Sequence, residues 1–334
     1  MPVISLIIIS LFTGCSFSEK EQTYSFSGFS IGTSYSVKYV SASNEVETLQ
    51  LGVDGVLSNI NKLMSTYLPG SDISRISRAG VNEPVSVDEL TINVLEAALT
   101  IAEQTDGNFD PTVAPLVNLW GFGPTPRNNK LPEASEVARL AASVGYQALT
   151  VDRITQTVEK NAPRELDFSA IAKGYAVDLI AEHLEQRGIT NYLVEVGGEM
   201  RLSGTKPGNE SWRIAIEKPD VEQRAVFKIL EVSGAAVATS GDYRNYFESD
   251  GVRYSHTINP ATGYPVKHNL ASVTVVMDSC MSADAYATAF LVMGAERALQ
   301  FAESNNIAAL FIIKQDDDFE VLQSAQFTEE FGEV

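Results

Sequence analysis

The chain has 334 residues, 44% hydrophobic and 20% charged, the composition of an ordinary globular protein able to bury a sizeable core. Its formal net charge of −19 excludes broad binding to nucleic acid, where Lys and Arg must displace counterions, and broad adsorption to anionic lipid. An anionic ligand therefore needs a local positive group, a helix N-terminus or a metal ion.

Val3 to Phe12 form an apolar run of the length of a signal-peptide core, too short to span a bilayer. The run ends in Leu11-Phe12-Thr13-Gly14-Cys15, which resembles the bacterial lipobox, in which the cysteine is lipidated and becomes the new N-terminus. Residues 1–14 then read as a lipoprotein signal peptide, Cys15 as the lipidation site, 15–23 as a polar tether and 24–334 as the functional domain. A cleaved signal or a buried N-terminal strand is the alternative reading. The second cysteine, Cys280, has no partner if Cys15 carries lipid, so no disulfide or Cys-rich metal site is expected. A metal site here needs oxygen ligands, which favours Mg²⁺ or Ca²⁺ over Zn²⁺.

Residues 24–40 alternate in apolarity and are broken by Gly28 and Gly32, predicting a strand pair. Val46 to Met64 recur at helical spacing. A second helix is expected over Val87–Gln104, opened by a capping box of Ser86 and Glu89. A third is expected over Ser135–Val144, closed by Gly145, and a fourth over Ile171–Arg187, closed by Gly188. Short β-rich runs follow at Tyr192–Val196, Trp212–Ile216, Val226–Val232, Ala236–Thr239 and Ala271–Met277. A helix over Ala283–Asn305, interrupted at Gly294, and a hairpin of Ile307–Ile313 with Phe319–Leu322 complete the order. Helices and strands mix without regular βαβ alternation, which places the chain in the α+β class. Thr112–Pro132 is the one long irregular stretch, and loops of that length inside a domain are often functional.

Five segments carry candidate chemistry. Asp167-Phe168-Ser169-Ala170-Ile171-Ala172-Lys173-Gly174 joins a β-like run to a helical pattern; spacing alone favours an N-cap role for Asp167, with a turn that aims backbone groups and Lys173 at an anion as the alternative. Asp284 and Thr288 stand four apart on one helical face beside Ala287, and a carboxylate and hydroxyl so placed can hold a hard cation. An Asp in the first turn behind a Ser282 cap explains the same pattern structurally. His256 precedes the turn Asn259-Pro260-Ala261-Thr262-Gly263 and is a general-base candidate; His183, on the helix ending at Gly188, reads as structural. Asn108-Phe109-Asp110 leads toward Trp120-Gly121-Phe122-Gly123, where aromatic rings serve a planar ligand or the core equally well. Val196-Gly197-Gly198-Glu199 allows close ligand approach or a tight turn, without the full dinucleotide fingerprint of a Rossmann domain.

Together, and in this order, Ile31-Gly32-Thr33, Met64-Ser65-Thr66-Tyr67, Gly107-Asn108-Phe109-Asp110, Leu116 to Pro124, Asp167 to Ala176, Val196 to Glu199, Ser240-Gly241-Asp242-Tyr243, His256 to Gly263 and Ser282 to Thr288 resemble the ApbE family of flavin transferases. The resemblance spans about Ile31 to Gly294. It implies a compact α+β fold with mainly antiparallel sheets and a Mg²⁺-dependent enzyme that moves FMN from FAD onto a Thr or Ser hydroxyl of a target protein, releasing AMP. It implies metal ligation by Asp284, Ala287 and Thr288 with the Ala170 carbonyl, and flavin or nucleotide contacts from Ile31, Tyr67, Asn108, Phe109, Asp110, Asp167, Lys173 and Ile258. Ile31 stands where many members have Met, and Lys173 where some have Glu. Targets in the family are flavin-carrying subunits of membrane redox complexes such as the Na⁺-pumping NADH:quinone reductase and its Rnf relatives. A lipid-anchored position on the periplasmic face of the inner membrane agrees with Cys15. Asp284 and His256 are the expected catalytic pair, with His256 as base. A metal-dependent FAD pyrophosphatase and a non-enzymatic flavin-binding lipoprotein are the competing readings.

Overall fold

A computed structural model describes residues 20–125, 130–219, 225–243, 245–316 and 318–334. The expected signal peptide and Cys15 lie outside the described residues. In chain order the elements are β1 (Gln22–Ser30), β2 (Thr33–Ser41), α1 (Val46–Met64), α2 (Asp72–Arg78), β3 (Val85–Ser86), α3 (Glu89–Gln104), α4 (Ala114–Leu119), α5 (Ala134–Ala141), β4 (Leu149–Asp152), β5 (Thr157–Lys160), α6 (Ala172–Glu185), β6 (Tyr192–Val196), β7 (Glu199–Ser203), β8 (Trp212–Glu217), β9 (Val226–Val232), β10 (Ala235–Gly241), β11 (Tyr246–Ser249), β12 (Val252–Ser255), β13 (Leu270–Met277), α7 (Cys280–Met293), α8 (Ala295–Ser304), β14 (Ala308–Gln315), β15 (Asp318–Gln323) and α9 (Ala325–Phe331). Among the described residues no helix is long and apolar enough to cross a membrane.

Eight strands form one sheet in the order β1-β2-β6-β7-β10-β13-β14-β15, each neighbouring pair antiparallel. The α+β class and the antiparallel pairing follow the expectation from sequence. The strand β14 shows how the sheet divides two cores. Ala309, Phe311 and Ile313 face the main core with α6 and α7, whereas Ala308, Leu310 and Ile312 face a second core with Trp212, Leu230 and Phe327. Successive side chains point to opposite faces, so a strand covered on both sides reads as an unbroken apolar run. The β8–β9 hairpin and α9 cover the second face.

Several boundaries differ from the sequence reading for local reasons. Strand β1 takes in Gln22 and Thr23, which were expected to belong to the tether. Ser86 does not cap α3, because it is paired to Thr157 in a small sheet; Asp88 does, its side chain accepting from the Leu90 N–H. Ser282 does not cap α7 either. That helix begins at Cys280, with Ser279 accepting from the Ser282 N–H, so Asp284 lies in the second turn. The expected break at Gly294 is present, at φ 80°. The helices α2, α4 and α9 escaped the sequence reading; each is seven residues or shorter, too brief to show a helical period.

The helices that reach the functional site, α6 and α7, cross at very close range. A methyl group on Gly174 would sit 2.2 Å from the Cys280 carbonyl oxygen, so only glycine admits this approach. The carboxylate of Asp178, buried on α6, accepts hydrogen bonds from the Cys280 N–H (3.0 Å), the Met281 N–H (2.9 Å), the Ser279 hydroxyl (2.9 Å) and Arg201 (3.1 Å). It thereby satisfies the free N–H groups of one helix from the side of another, with the favourable sign for the helix dipole.

Two outcomes follow from this crossing. Asp178→Ala strips the α7 N-terminus of its acceptors and parts Arg201 from a buried anion, and should lower stability by about 3 kcal/mol in urea unfolding followed by circular dichroism. Gly174→Ala should cost about 1–3 kcal/mol by overpacking. An unchanged unfolding midpoint in either variant would show that the two helices are held together elsewhere.

Candidate active site

A cavity of about 700 Å³ opens where α6, α7, the β6–β7 turn, the end of β10 and the segment after β12 converge. Its volume lies within the range of small-molecule and cofactor sites. Of the residues singled out from the sequence, Tyr67, Asp167, Ala170, Lys173, His256, Ile258, Asp284 and Thr288 line it. Ile31, Asn108, Phe109, Asp110 and Ala287 are not among the lining residues.

Two tight hairpin turns stand beside the cavity, which Thr33, Gly197 and Gly198 line. In the β1–β2 turn, Ile31 and Gly32 both have positive φ, 44° and 79°, between paired Ser30 and Thr33. In the β6–β7 turn, Gly197 and Gly198 have φ 64° and 107° between paired Val196 and Glu199. Two-residue turns with both central residues at positive φ match the twist of the flanking strands. The turns are neighbours, since the Gly197 N–H donates to the Ser34 carbonyl at 3.0 Å. A side chain at Gly197 would meet Thr33 at 3.0 Å and Lys173 at 3.3 Å, both cavity-lining residues. Ile31 is β-branched and left-handed, a strained state usually left to Gly or Asn.

Three charges meet on the cavity floor. The Lys173 ammonium lies 2.6 Å from Glu199 Oε1 and 3.8 Å from Asp284 Oδ2. The residues Glu199 and Asp284 are 4% and 3% exposed. The Gly174 N–H donates to Asp284 Oδ2 at 3.1 Å, whereas Glu199 Oε2 is buried without a hydrogen-bond partner among the described residues. Burial, reinforced by Asp284 and opposed by Lys173, pushes Glu199 up to about 7. Burial also raises Asp284, against the pull of Lys173 and the Gly174 N–H. Burial alone would depress Lys173, but Asp284 and Glu199 outweigh it and hold the ammonium above its ordinary value. The sequence reading assigned Glu199 no role. Its signal was the position directly after a glycine pair; that it turns inward onto Lys173 depends on β7 pairing.

His256 is half-buried on the opposite side, its ring edge-on to Phe122 at 6.3 Å. Its Nδ1 lies 3.0 Å from the Asn245 carbonyl oxygen. Burial lowers its pKa below 6.5, the Asn245 bond opposes that shift, and Lys173 adds to it. The ring is therefore neutral at pH 7. A carbonyl can only accept, so the proton sits on Nδ1 and the lone pair on Nε2. The Asn259-to-Gly263 turn behind it is rigid: Asn259 Oδ1 accepts from the Ala261 and Thr262 N–H groups, and Trp120 Nε1 donates to the Gly263 carbonyl. Trp120 is thus buried and occupied in holding the turn, stacked on Tyr254 at 5.5 Å.

Other expected residues take different places. Asp167 is not the cap of α6, which starts at Ala172 after Ile171; its Oδ1 accepts from the Ser169 N–H at 2.7 Å, shaping the loop that leads to Ala170. Asp110 is buried, its carboxylate accepting from the Thr112 N–H and hydroxyl and the Tyr146 N–H. Phe109 and Ala287 pack in the main core. Asn108 donates to the Thr105 carbonyl, closing the turn after α3. Tyr67, 66% exposed, stands where the cavity meets solvent.

Among the described residues no group of three or more His, Cys, Asp or Glu stands close enough to hold a metal ion. The oxygen set in the cavity nevertheless fits a hard cation. It contains one buried carboxylate from Asp284, the Thr288 hydroxyl paired to Ser240 at 3.1 Å, and the Ala170 segment. A buried carboxylate with an ammonium drawn to it marks a place that favours positive charge.

The profile of the ApbE family matches residues 31–311. The chain is 44% identical over 328 residues, 97% of each chain, to an FAD:protein FMN transferase of Vibrio cholerae, and 39% identical over 331 residues, 96% of each, to one of Haemophilus influenzae. Its fold superposes on the flavin transferase ApbE of Vibrio cholerae with a TM-score of 0.86 at 43% identity, covering 93% of this chain and 100% of that one. It superposes on the apo flavinyl transferase ApbE of Pseudomonas stutzeri with a TM-score of 0.87 at 39% identity, covering 98% and 100%. A family match across the fold, the cavity and the segments that line it leads to one conclusion: this chain belongs to the ApbE family.

Proposed function

We propose that this chain is an FAD:protein FMN transferase whose reaction takes place in the cavity between α6, α7 and the His256 segment. The observation that carries the site is the presence, in one cavity, of a neutral His256, the Asp284–Thr288 oxygen pair and the Lys173 ammonium. The acceptor is a Thr or Ser hydroxyl of a target protein. Its oxygen attacks the phosphorus of the FMN half of FAD, the bridging P–O bond breaks, and AMP leaves. His256 Nε2 takes the hydroxyl proton, the role its neutral form and Nδ1 anchor prepare it for. Lys173 attracts the diphosphate. Asp284 and Thr288, with the Ala170 carbonyl and the α7 turn at Ala287, would hold Mg²⁺, which when bound supplies charge neutralisation at the diphosphate. Phosphoryl-type transfers need little covalent help, so alignment and electrostatics carry the rate.

Tyr67, Asp167 and Ile258 on the cavity wall, and Ile31 at the hairpin tip, contact the flavin or nucleotide in this reading. Asn108, Phe109 and Asp110 act from behind by fixing the loop after α3. The targets are flavin-carrying subunits of complexes such as the Na⁺-pumping NADH:quinone reductase or Rnf. Anchoring through lipidated Cys15 places the enzyme on the periplasmic face of a bacterial membrane, beside such subunits. The family resemblance supports the targets, and the pattern ending at Cys15 supports the anchor.

Two experiments test this reading. His256→Ala should reduce FMN transfer by about 10²–10⁴-fold. In the unchanged protein, transfer should be level above pH 6.5 and fall as the pH drops through a value below it, because protonation removes the Nε2 lone pair. A full rate in the variant removes His256 from the base role. Separately, FAD is incubated with and without acceptor protein, with Mg²⁺ or with EDTA, and both AMP and protein-bound flavin fluorescence are followed. Asp284→Asn and EDTA should each abolish AMP release. Undiminished AMP release without acceptor identifies water as the nucleophile and the enzyme as a pyrophosphatase.

A further inference from the structure

On the cavity floor two buried carboxylates share one ammonium, and they share it unequally. Lys173 Nζ is in direct contact with Glu199 Oε1 at 2.6 Å and stands off Asp284 Oδ2 at 3.8 Å. Asp284 keeps a second bond, from the Gly174 N–H, which holds its carboxylate in place whether or not the lysine is near. Among the described residues Glu199 has no ion-pair partner other than Lys173, and its Oε2 is buried without a hydrogen bond. The Lys173 side chain is 30% exposed and passes over Gly197, where a side chain would stand 3.3 Å from its Cδ. The stem thus lies close against the turn, and the exposed part of the side chain faces the cavity that Lys173 lines.

From this asymmetry, and resting on the metal-assisted reading above, we propose that Lys173 is a built-in counter-cation that occupies the field of Asp284 until substrate arrives. An ammonium and a divalent cation repel at such range, and the low-dielectric floor strengthens that repulsion. A metal ion entering alone must displace the lysine from Asp284 with no new anion to receive it. When the diphosphate of FAD is bound, Lys173 turns to it and the cation takes Asp284. Metal and FAD then bind with positive coupling, and the coupling is reciprocal: each raises the affinity of the other by the same factor. The free enzyme is thereby kept from filling its metal position without substrate, and Glu199 keeps the lysine tethered within reach in both states.

The test uses Mn²⁺ as the probe, with affinities read by electron paramagnetic resonance of free Mn²⁺ and by calorimetry, without turnover. The wild type should bind Mn²⁺ weakly in the absence of FAD and much more tightly in its presence. Lys173→Met should bind Mn²⁺ without FAD at least about tenfold more tightly than the wild type, with the FAD–Mn²⁺ coupling factor reduced to match. The double variant Lys173→Met/Glu199→Gln removes one charge of each sign, so it keeps the net charge of the floor should the single variant fail to fold; it should show the same gain. Lys173→Arg should retain the wild-type coupling. Equal FAD-free Mn²⁺ affinity in wild type and both Met variants, with FAD-dependent binding intact, overturns the counter-cation role alone. Absence of Mn²⁺ binding in every protein, with or without FAD, overturns the metal reading and this inference together.

Discussion

The close crossing of α6 and α7 is the contact on which the site depends. Helices normally stand 8–10 Å apart, and the side chains between them set the distance. Here Gly174 removes that spacer, and the Asp178 carboxylate gathers the first N–H groups of α7 against α6. The result brings the segment bearing Ala170 and Lys173 into one cavity with Asp284 and Thr288. A wider crossing would separate the Lys173 ammonium from Asp284 and leave that buried anion without compensation, a state that costs several kcal/mol. Stability and site geometry are therefore set by the same few atoms.

The charged floor departs from what stability alone favours. A buried carboxylate without a full set of partners is expensive, and Glu199 Oε2 has no hydrogen-bond partner among the described residues. Natural proteins violate local rules chiefly where function requires it. Ile31, strained at the tip of the β1–β2 hairpin, departs from local rules in the same way, and the cavity-lining Thr33 lies two residues on. His256 differs in kind: its Nδ1 bond to a backbone carbonyl fixes the tautomer, and burial with a nearby ammonium keeps it neutral. The two electrostatic devices are linked through Lys173, which opposes the burial-driven rise of both carboxylates and discourages a proton on the histidine.

Segments with a strong local period were legible in the sequence. The helix α1, the strands β6 and β9 and the break at Gly294 lie where apolar spacing and punctuation place them. Cap positions were less legible. Ser86 and Ser282 each satisfy a capping pattern, yet a ladder partner claims the first and an earlier start of the helix passes over the second. A cap is a competition among nearby acceptors, and pairing partners distant in sequence decide it. The same holds for Asp167, which closes its own loop instead of a helix.

The candidate site divides along similar lines. Order and identity of motifs pointed to the family, and Asp284 with Thr288 could be placed on one helical face because that spacing is local geometry. Which motifs meet could not be read locally. Glu199 joins Lys173 only because β6 and β7 turn back beside α6, and Trp120 and Asp110 are drawn into scaffolding by partners far along the chain. By itself the sequence determined the strongly periodic elements, the α+β class and the residue types available for chemistry, since these follow from period, propensity and side-chain identity. Only the tertiary structure decided which side chains share the cavity and with what charge, because burial, desolvation and ion pairing are properties of neighbours in space.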